Sequence, residues 1–225
     1  MPRIARAVAP GFPHHIVQRG NNRGEVFLSP EDRGVYLYLL KNYAEKWNTS
    51  ILSYCLMTNH VHLLAKPSEE ESLHKMMQGI ALCYTQHINR KYRRTGRLWE
   101  SRYHSCIVDH DAYLWAVARY IEQNPVRAAL VENPEDYPYS SASAHFGLAC
   151  DPVLGDDLFH EIQRNDYIAF IKSGIPEEQV KDIRKSFRTG RPLGSGRFVE
   201  ELEQRLEKRL AASPAGRPRK NSDAK

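Results

Sequence analysis

Residues 51–66 have the sequence ILSYCLMTNHVHLLAK, in which two apolar runs of strand length flank a short polar step. The first run, Ile51–Thr58, and the second, Val61–Lys66, are rich in residues that favour extended backbone. The pattern predicts either one bulged hairpin or two adjacent strands. Because side chains alternate between the two faces of a strand, His60 and His62 should project to the same side, about 7 Å apart.

The flanking sequence predicts further strands and helices on both sides of this segment. They are, in chain order, a strand over His14–Arg19, a helix over Ser29–Trp47, a helix over Ser68–Tyr92, a strand over Tyr103–Val108 and a helix that ends near Gln123. The order β-α-β-β-α-β-α is typical of an α+β sandwich of ferredoxin-like type, an antiparallel sheet covered on one face by helices.

The remainder of the chain has a weaker pattern. Short helices are predicted around 156–172 and 176–187, and an amphipathic helix over 197–210, which makes a small helical basic C-terminal extension. From Arg184 onward there are 12 Lys and Arg and 5 Asp and Glu, a net charge of +7 within a chain whose total is +5. A second basic cluster occupies residues 90–102. Clustered positive charge indicates either a phosphate-backbone partner or a solvated surface with a basic tail.

The four cysteines, Cys55, Cys83, Cys106 and Cys150, lie far apart and contain no CxxC pair. They are therefore expected to be free thiols, buried at Cys55 and Cys106, in a reducing cytoplasm. No apolar run approaches the roughly 18 residues of a membrane span. The first residues have no apolar signal region, which predicts a chain that is neither secreted nor membrane-bound.

The segment from Asn59 to His62 is the first candidate for a functional site. Two imidazoles on one face of a strand can share a divalent metal, although they can equally be ordinary polar residues on a solvated face. The second candidate is the segment YIEQNP, in which Tyr120 and Asn124 are four residues apart near the end of a helix and share its face. Asn124 offers an amide oxygen as a third ligand, while Tyr120 offers a phenol. The alternative for Tyr120 is simple packing in the core.

Together the two candidates favour phosphoryl transfer. A metal held by two imidazoles and an amide oxygen keeps positions open for phosphate oxygens, and polarises the phosphoryl group for in-line attack. A phenol is protonated at neutral pH, so a tyrosine nucleophile needs activation by the metal or by a base. A phosphotyrosine ester conserves the energy of the broken bond, which a strand-transfer enzyme needs and a simple nuclease does not. Glu122 points elsewhere on the helix and is not assigned as a base.

The motifs resemble those of one family. Asn59 to His62 resembles the His-hydrophobic-His motif of HUH endonucleases. Five segments together are similar to REP-associated tyrosine transposases, relatives of the smallest insertion-sequence transposases: QRGNNR (18–23), MTNHVHLL (57–64), GRLWE (96–100), YIEQNPVR (120–127) and GRPRK (216–220). The resemblance covers residues 10–145 closely and the tail more loosely.

The resemblance implies a role for each site residue. His60 and His62 would bind a divalent metal, Mg²⁺ or Mn²⁺, with Asn124 as third ligand, although glutamine is common at that place in related enzymes. Tyr120 would be the nucleophile that forms a 5′-phosphotyrosine link and releases a 3′-OH. The implied substrate is single-stranded DNA that carries hairpins of the repetitive extragenic palindrome type.

The residues expected to contact DNA fall into four groups along the chain. They are Arg19, Asn21, Asn22 and Arg23 in a polar loop that is alternatively a plain turn; Arg93, Arg94 and Arg97 in the basic cluster; Arg127; and Arg217, Arg219 and Lys220 in the tail. Tyr92 and Trp99 are candidates for stacking on bases, although Trp99 is equally suited to the core. The tail resembles arms that enter the minor groove, but nonspecific phosphate contact suits its composition as well.

The resemblance also suggests how the chain is divided. Residues 1–147 would form the HUH tyrosine transposase catalytic domain, 148–188 a helical extension and 189–225 a basic C-terminal helix and tail for DNA binding. Members of this group are often dimeric, so a homodimer is one expectation. The main alternative function is a non-catalytic, transposase-derived DNA-binding regulator. A replication initiator, a relaxase and a metal-free RNA-binding sandwich are further alternatives, whereas a histidine-triad hydrolase would need a histidine at Leu64.

Overall fold

The structure is a computed structural model and describes residues 6–155 and 158–211, without the side chains of residues 111 and 112. Its four strands are β1 (His14–Arg19), β2 (Thr49–Met57), β3 (His60–Pro67) and β4 (His104–Ile107). The α-helices of these ranges are α1 (Pro30–Lys46), α2 (Ser72–Lys91), α3 (His110–Glu122), α4 (Asn124–Arg127), α5 (Ala142–His145), α6 (Arg164–Lys172), α7 (Glu177–Thr189) and α8 (Gly196–Leu206).

The four strands form one antiparallel sheet in the order β2-β3-β1-β4. Strands β2 and β3 are a hairpin whose register shifts between Ile51 and Ser53, so the bulged-hairpin alternative is confirmed. The predicted ferredoxin-like α+β class is confirmed as well. In this register His62 lies between Val17 of β1 and Cys55 of β2, at the centre of the sheet.

Helices α1 and α2 cover one face of the sheet. Ile16 and Leu63 are fully buried in the same cluster as Tyr36 and Tyr84 of these helices. Helix α1 begins at the predicted place, because Pro30 occupies its first turn and the Asp32 carboxylate accepts hydrogen bonds from the Leu28 and Ser29 amides. This face of the molecule is a closed apolar core.

The expectation that helices cover only one face is wrong. Helix α3 packs against β2 and β3 on the opposite face, and α7 packs against β4 and β1. Leu52, Cys55 and Leu64 are buried there with residues of α3. Strand β2 is apolar on both faces, so each face needs a covering layer. The second layer places the end of α3 and one side of α7 next to the histidine pair.

The C-terminal helix is shorter than predicted. The hydroxyl of Ser195 accepts a hydrogen bond from the Phe198 amide at the start of α8, and the helix ends at Leu206, followed by Glu207 in the left-handed region at φ 50°. Phe198 and Leu202 are buried against the N-terminal segment and β4. The predicted division at residues 147 and 188 stays a prediction.

The cysteines are free thiols, buried at Cys55 and Cys106 as predicted. Cys83 is partly buried and Cys150 is exposed. Within the described ranges, no helix combines the length and the apolar character that a membrane crossing requires.

Candidate active site

One cleft of about 510 Å³ brings the four predicted catalytic residues together on the α3 face of the sheet. Its walls come from β1, the β2–β3 hairpin, α3, α4 and α7. The residues that line it are Val17, Arg19, Arg23, Met57, Asn59, His60, His62, Tyr120, Asn124, Arg127, Ala128, Arg184, Phe187 and Arg188.

His60 and His62 face this cleft because they alternate with buried Val61 along β3. Their ring centroids are 4.9 Å apart. The Nδ1 atom of His60 lies 2.7 Å from the Asn59 side-chain oxygen, which can only accept, so His60 carries its proton on Nδ1 and leaves Nε2 bare. Burial lowers the pKa of His60 to about 4 and that of His62 well below its usual value, with nearby Arg19 and Arg127 adding to both shifts. Both imidazoles are therefore neutral at physiological pH, the form that binds metals.

A third histidine lies behind this pair and was not among the predicted site residues. His15 on β1 is fully buried, and its Nε2 atom is 3.0 Å from Nδ1 of His62. The two rings are stacked with centroids 5.3 Å apart, and Phe187 of α7 contacts the edge of His15. The alternation of side chains along β1 could have identified His15, because it places His15 on the same face of the strand as Val17, which lines the cleft.

Tyr120 is 3% exposed and packs in a core cluster, yet it also lines the cleft. Its role as the nucleophile stays a prediction. Its ring meets His62 and His15 edge to face, with centroid distances of 5.6 Å in each case. The Arg127 guanidinium lies 4.5 Å from the centroid of the ring and donates to the Tyr120 carbonyl at 3.4 Å. The phenol is thus fixed between the histidines and a cation.

One turn residue, Gln123, separates Asn124 from the helix of Tyr120, and both side chains line the same cleft. Helix α3 ends at Glu122, and Asn124 opens the short helix α4. Pro125 has no backbone N–H to donate to the Ile121 carbonyl one turn earlier, which accounts for the interruption of the helix. The side-chain nitrogen of Asn124 donates to the Ile121 carbonyl at 3.2 Å. The side chain also lines the cleft, so its oxygen is available to a ligand.

The donor set fits a divalent cation. The described residues contain no group of three His, Cys, Asp or Glu that would hold a metal. The cleft instead offers two neutral imidazoles and one amide oxygen. The side-chain nitrogen of Asn124 and Nδ1 of His60 already take part in hydrogen bonds. The Asn124 side-chain oxygen and Nε2 of His60 are therefore the atoms available for coordination, and both are atom types that bind divalent metals. Three protein ligands leave positions open for phosphate oxygens.

Arginines surround the cleft. Arg19, Arg23 and Arg127 belong to the predicted DNA-contacting set, whereas Arg184 and Arg188 of α7 line the cleft without having been predicted. Arg184 and Arg188 are four residues apart and lie on the same face of α7 as Phe187. This spacing does not by itself identify a binding residue unless the packing of α7 is known. The five cations make the cleft suited to an anionic backbone.

The other predicted DNA-contacting residues lie beside the cleft or outside the described residues. Asn21 and Asn22 are exposed in a 3₁₀ turn, and the Asn21 amide donates to the Leu98 carbonyl at 2.8 Å. The exposed basic loop that follows α2 is thereby next to this turn and carries Arg93, Arg94 and Arg97. Arg217, Arg219 and Lys220 lie outside the described residues.

The two aromatics considered for base stacking are engaged in the fold. Trp99 packs with Tyr36 and Tyr84, so its core alternative is the one observed. The Tyr92 hydroxyl donates to Asp32 at 2.8 Å.

Glu122 is fully buried away from the cleft. Its carboxylate accepts from Ser141 at 2.6 Å and Tyr167 at 2.9 Å and pairs with Nδ1 of His145 at 2.5 Å. Burial by itself raises the pKa of Glu122, but the charge and hydrogen bond of His145 together with the two hydroxyls hold it below its usual value. Its side chain therefore stabilises the junction of α3 with later helices.

A comparison with known proteins identifies the family. The family model for IS200-like transposases matches residues 11–124, which is half of the chain. A protein of Haemophilus influenzae assigned to the REP-associated tyrosine transposases is 26% identical over 112 residues. That match covers 45% of this chain, which spans 63% of the length of that relative.

Among solved structures, a REP-associated tyrosine transposase bound to a REP hairpin superposes with a TM-score of 0.56. The match has 15% sequence identity and covers 71% of this chain and 94% of the other. At this identity the likeness establishes a common fold. The resemblance to REP-associated tyrosine transposases that the motifs indicate is thus confirmed, and the chain belongs to the family of IS200-like transposases.

Proposed function

We propose that this chain cleaves and rejoins single-stranded DNA, with Tyr120 as the nucleophile and a divalent cation as cofactor. The observation that carries the proposal is that Tyr120, His60, His62 and Asn124 line one cleft although they come from three different elements. Family membership agrees with a DNA-processing activity.

The reaction is a transesterification at phosphorus. The Tyr120 phenol oxygen attacks the phosphorus atom, a bond forms between them, and the bond from phosphorus to the 3′ oxygen breaks. The phenolic proton is lost to the medium and the 3′ oxygen of the leaving strand takes one up. The product is a 5′-phosphotyrosine ester with a free 3′-OH, and attack by another 3′-OH reverses the step and joins the strands.

The residues of the cleft divide the remaining tasks. His60, His62 and Asn124 would hold Mg²⁺ or Mn²⁺, which polarises the phosphoryl group and offsets its developing charge. Arg127 restricts the Tyr120 ring by lying over it, and Arg19, Arg23, Arg184 and Arg188 attract and orient the backbone on either side of the reacting phosphate.

The substrate that we propose is single-stranded DNA with palindromic hairpins. The similar solved protein is bound to such a hairpin. In this chain the exposed turn at Asn21 and Asn22 and the adjacent basic loop with Arg93, Arg94 and Arg97 extend the positive surface beyond the cleft. We assign the basic residues 189–225 to the same partner, including Arg217, Arg219 and Lys220.

A covalent-adduct assay tests the proposal. The protein is incubated with labelled single-stranded DNA from the flanks of its own gene, with Mg²⁺, Mn²⁺ or EDTA, and resolved under denaturing conditions. We expect an adduct that needs metal, that disappears in Tyr120→Phe and His60→Ala, and that persists in Tyr113→Phe, a control on the same helix. DNA binding by a folded protein without an adduct on any flanking hairpin would instead support the non-catalytic regulator.

A further inference from the structure

A second pocket, of about 270 Å³, lies on the other face of the sheet behind the catalytic cleft. It is enclosed by β1, α2 and the segment 99–103. Gln18 of β1 lines this pocket, whereas its neighbours Val17 and Arg19 line the cleft, because adjacent side chains of a strand point to opposite faces. The two cavities are therefore separated by the backbone of a single strand.

Gln18 and Trp99, which both line this pocket, each have a buried polar side-chain atom without a hydrogen-bond partner among the described residues. These atoms are the side-chain oxygen of Gln18, in a residue 4% exposed, and the indole nitrogen of Trp99, in a residue 7% exposed. One is an acceptor and the other a donor. Buried polar groups are nearly always hydrogen-bonded in folded proteins, so an unpaired donor and an unpaired acceptor on residues that line one pocket indicate a ligand with both functions.

The remaining walls indicate the shape and charge of that ligand. Met77 and the rings of Trp99 and Tyr103 provide apolar and aromatic surface, which suits a flat ring. Arg6 and Arg102 also line the pocket, and the Arg6 guanidinium lies 4.2 Å from the Tyr103 ring centroid. A planar group attached to a phosphate matches this combination.

We propose that the pocket binds one unstacked nucleobase of the single-stranded DNA on which the enzyme acts, and that Gln18 selects the base. The proposal rests on the proposed function. The Gln18 amide pairs with the hydrogen-bonding edge of the base, and Arg6 and Arg102 contact the flanking phosphates. The bridge between Trp99 and Gly20 places the wall segment 99–103 directly beside the end of β1, whose residues Val17 and Arg19 line the cleft.

The test is a selection from a randomised pool of single-stranded DNA. Tyr120→Phe protein serves as the parent, so binding is measured without cleavage. The pool is also selected on the parent with Gln18→Leu, with Gln18→Glu, which keeps the shape but replaces the amide donor by an acceptor, and with Gln86→Leu, a control at an exposed position of α2. Thermal unfolding verifies that each variant folds.

We expect one position of the enriched sequences to be fixed to a single base by the parent and the Gln86 variant. It should become degenerate with Gln18→Leu and change its preferred base with Gln18→Glu. Removal of that base from an enriched oligonucleotide should weaken binding by about 10- to 100-fold, as expected for loss of stacking and pairing. The same fixed base in all variants, or enrichment without any fixed base, would overturn the assignment. Failure of every variant to retain DNA would contradict the proposed function itself.

Discussion

The imidazole of His15 lies behind His62, with its Nε2 atom 3.0 Å from Nδ1 of His62. If His62 binds a cation through Nε2, its proton must sit on Nδ1, and His15 is then the acceptor that fixes this tautomer and the ring orientation. The other ring nitrogen of His15, Nδ1, has no hydrogen-bond partner among the described residues. The bond to His62 is therefore the one hydrogen bond that the His15 side chain makes there.

Substitution His15→Phe should keep the stacked aromatic ring and remove the acceptor. We expect Mn²⁺ affinity to fall by about 10- to 100-fold, the usual effect of losing the hydrogen-bond partner of a metal-binding histidine. Titration of the protein with Mn²⁺, followed by electron paramagnetic resonance, measures this affinity directly. An unchanged affinity in a variant that unfolds like the parent would show that His15 only fills space.

Buried neutral histidines should make the metal-free protein sensitive to mild acid. Burial lowers the pKa of His14 to about 4 from its ordinary 6.5, although its hydrogen bond to the Phe12 carbonyl opposes the shift. Between these two values the unfolded chain binds the proton and the folded chain does not, so the free energy of unfolding falls as the pH drops. At pH 5 the loss from His14 is about 2 kcal/mol.

Urea unfolding at pH 7 and pH 5 checks this expectation. The difference between the two should be smaller in His14→Gln, since glutamine does not titrate. A protein equally stable at both pH values, or a variant with the full pH dependence of the parent, would contradict the role of His14.

The Glu122 network should matter for stability and not for chemistry. Removal of the buried carboxylate leaves Ser141, Tyr167 and His145 without their hydrogen-bond acceptor, so Glu122→Ala should cost about 3 to 5 kcal/mol of the free energy of unfolding. Glu100→Ala, at an exposed site, should change it by less than about 0.5 kcal/mol. Glu122→Gln, assayed where it is folded, should still form the covalent adduct. Loss of the adduct in folded Glu122→Gln would make Glu122 a participant in the reaction.

The arginines of α7 should contribute to DNA binding through phosphates. Arg184→Ala and Arg188→Ala should each reduce the dependence of log affinity on log salt by about one, whatever the DNA sequence. The control is Lys41→Ala, whose exposed side chain pairs with Glu45 on α1 and lies outside the cleft. Fluorescence anisotropy with a labelled single strand over a range of salt concentrations gives these slopes. Equal slopes in all three variants would show that α7 is not part of the DNA-binding surface.

The sequence predicts most of the fold because local patterns define the strands of the sheet and the helices that cover it. The hairpin at 49–67 and the start of α1, with Ser29 as N-cap and Pro30 as first residue, follow from apolar periodicity and from the residues that start helices. The second helical layer was missed although β2 is apolar on both faces, a pattern that requires cover on both sides. The end of α3 at Glu122 lies within one residue of the predicted end, which Pro125 marks in the sequence.

The candidate site was predicted only as far as its residues lie in contiguous motifs. His60 with His62, and Tyr120 with Asn124, are each close in sequence. His15, Arg184 and Arg188 are not: the first depends on the register of β1 against β3, and the others on which side of α7 meets the sheet. Such pairings are set by packing between distant elements, which a single sequence does not specify.

The central claim is that Tyr120 becomes covalently attached to DNA, and peptide mass spectrometry of the adduct tests it most directly. The protein is allowed to react with a single-stranded hairpin in Mn²⁺, digested with protease and nuclease, and searched for a tyrosine that carries a nucleotide phosphate. We predict the modification on the peptide that contains Tyr120, and none in the presence of EDTA. A nucleotide on any other residue, such as Tyr113 of the same helix, would contradict the account.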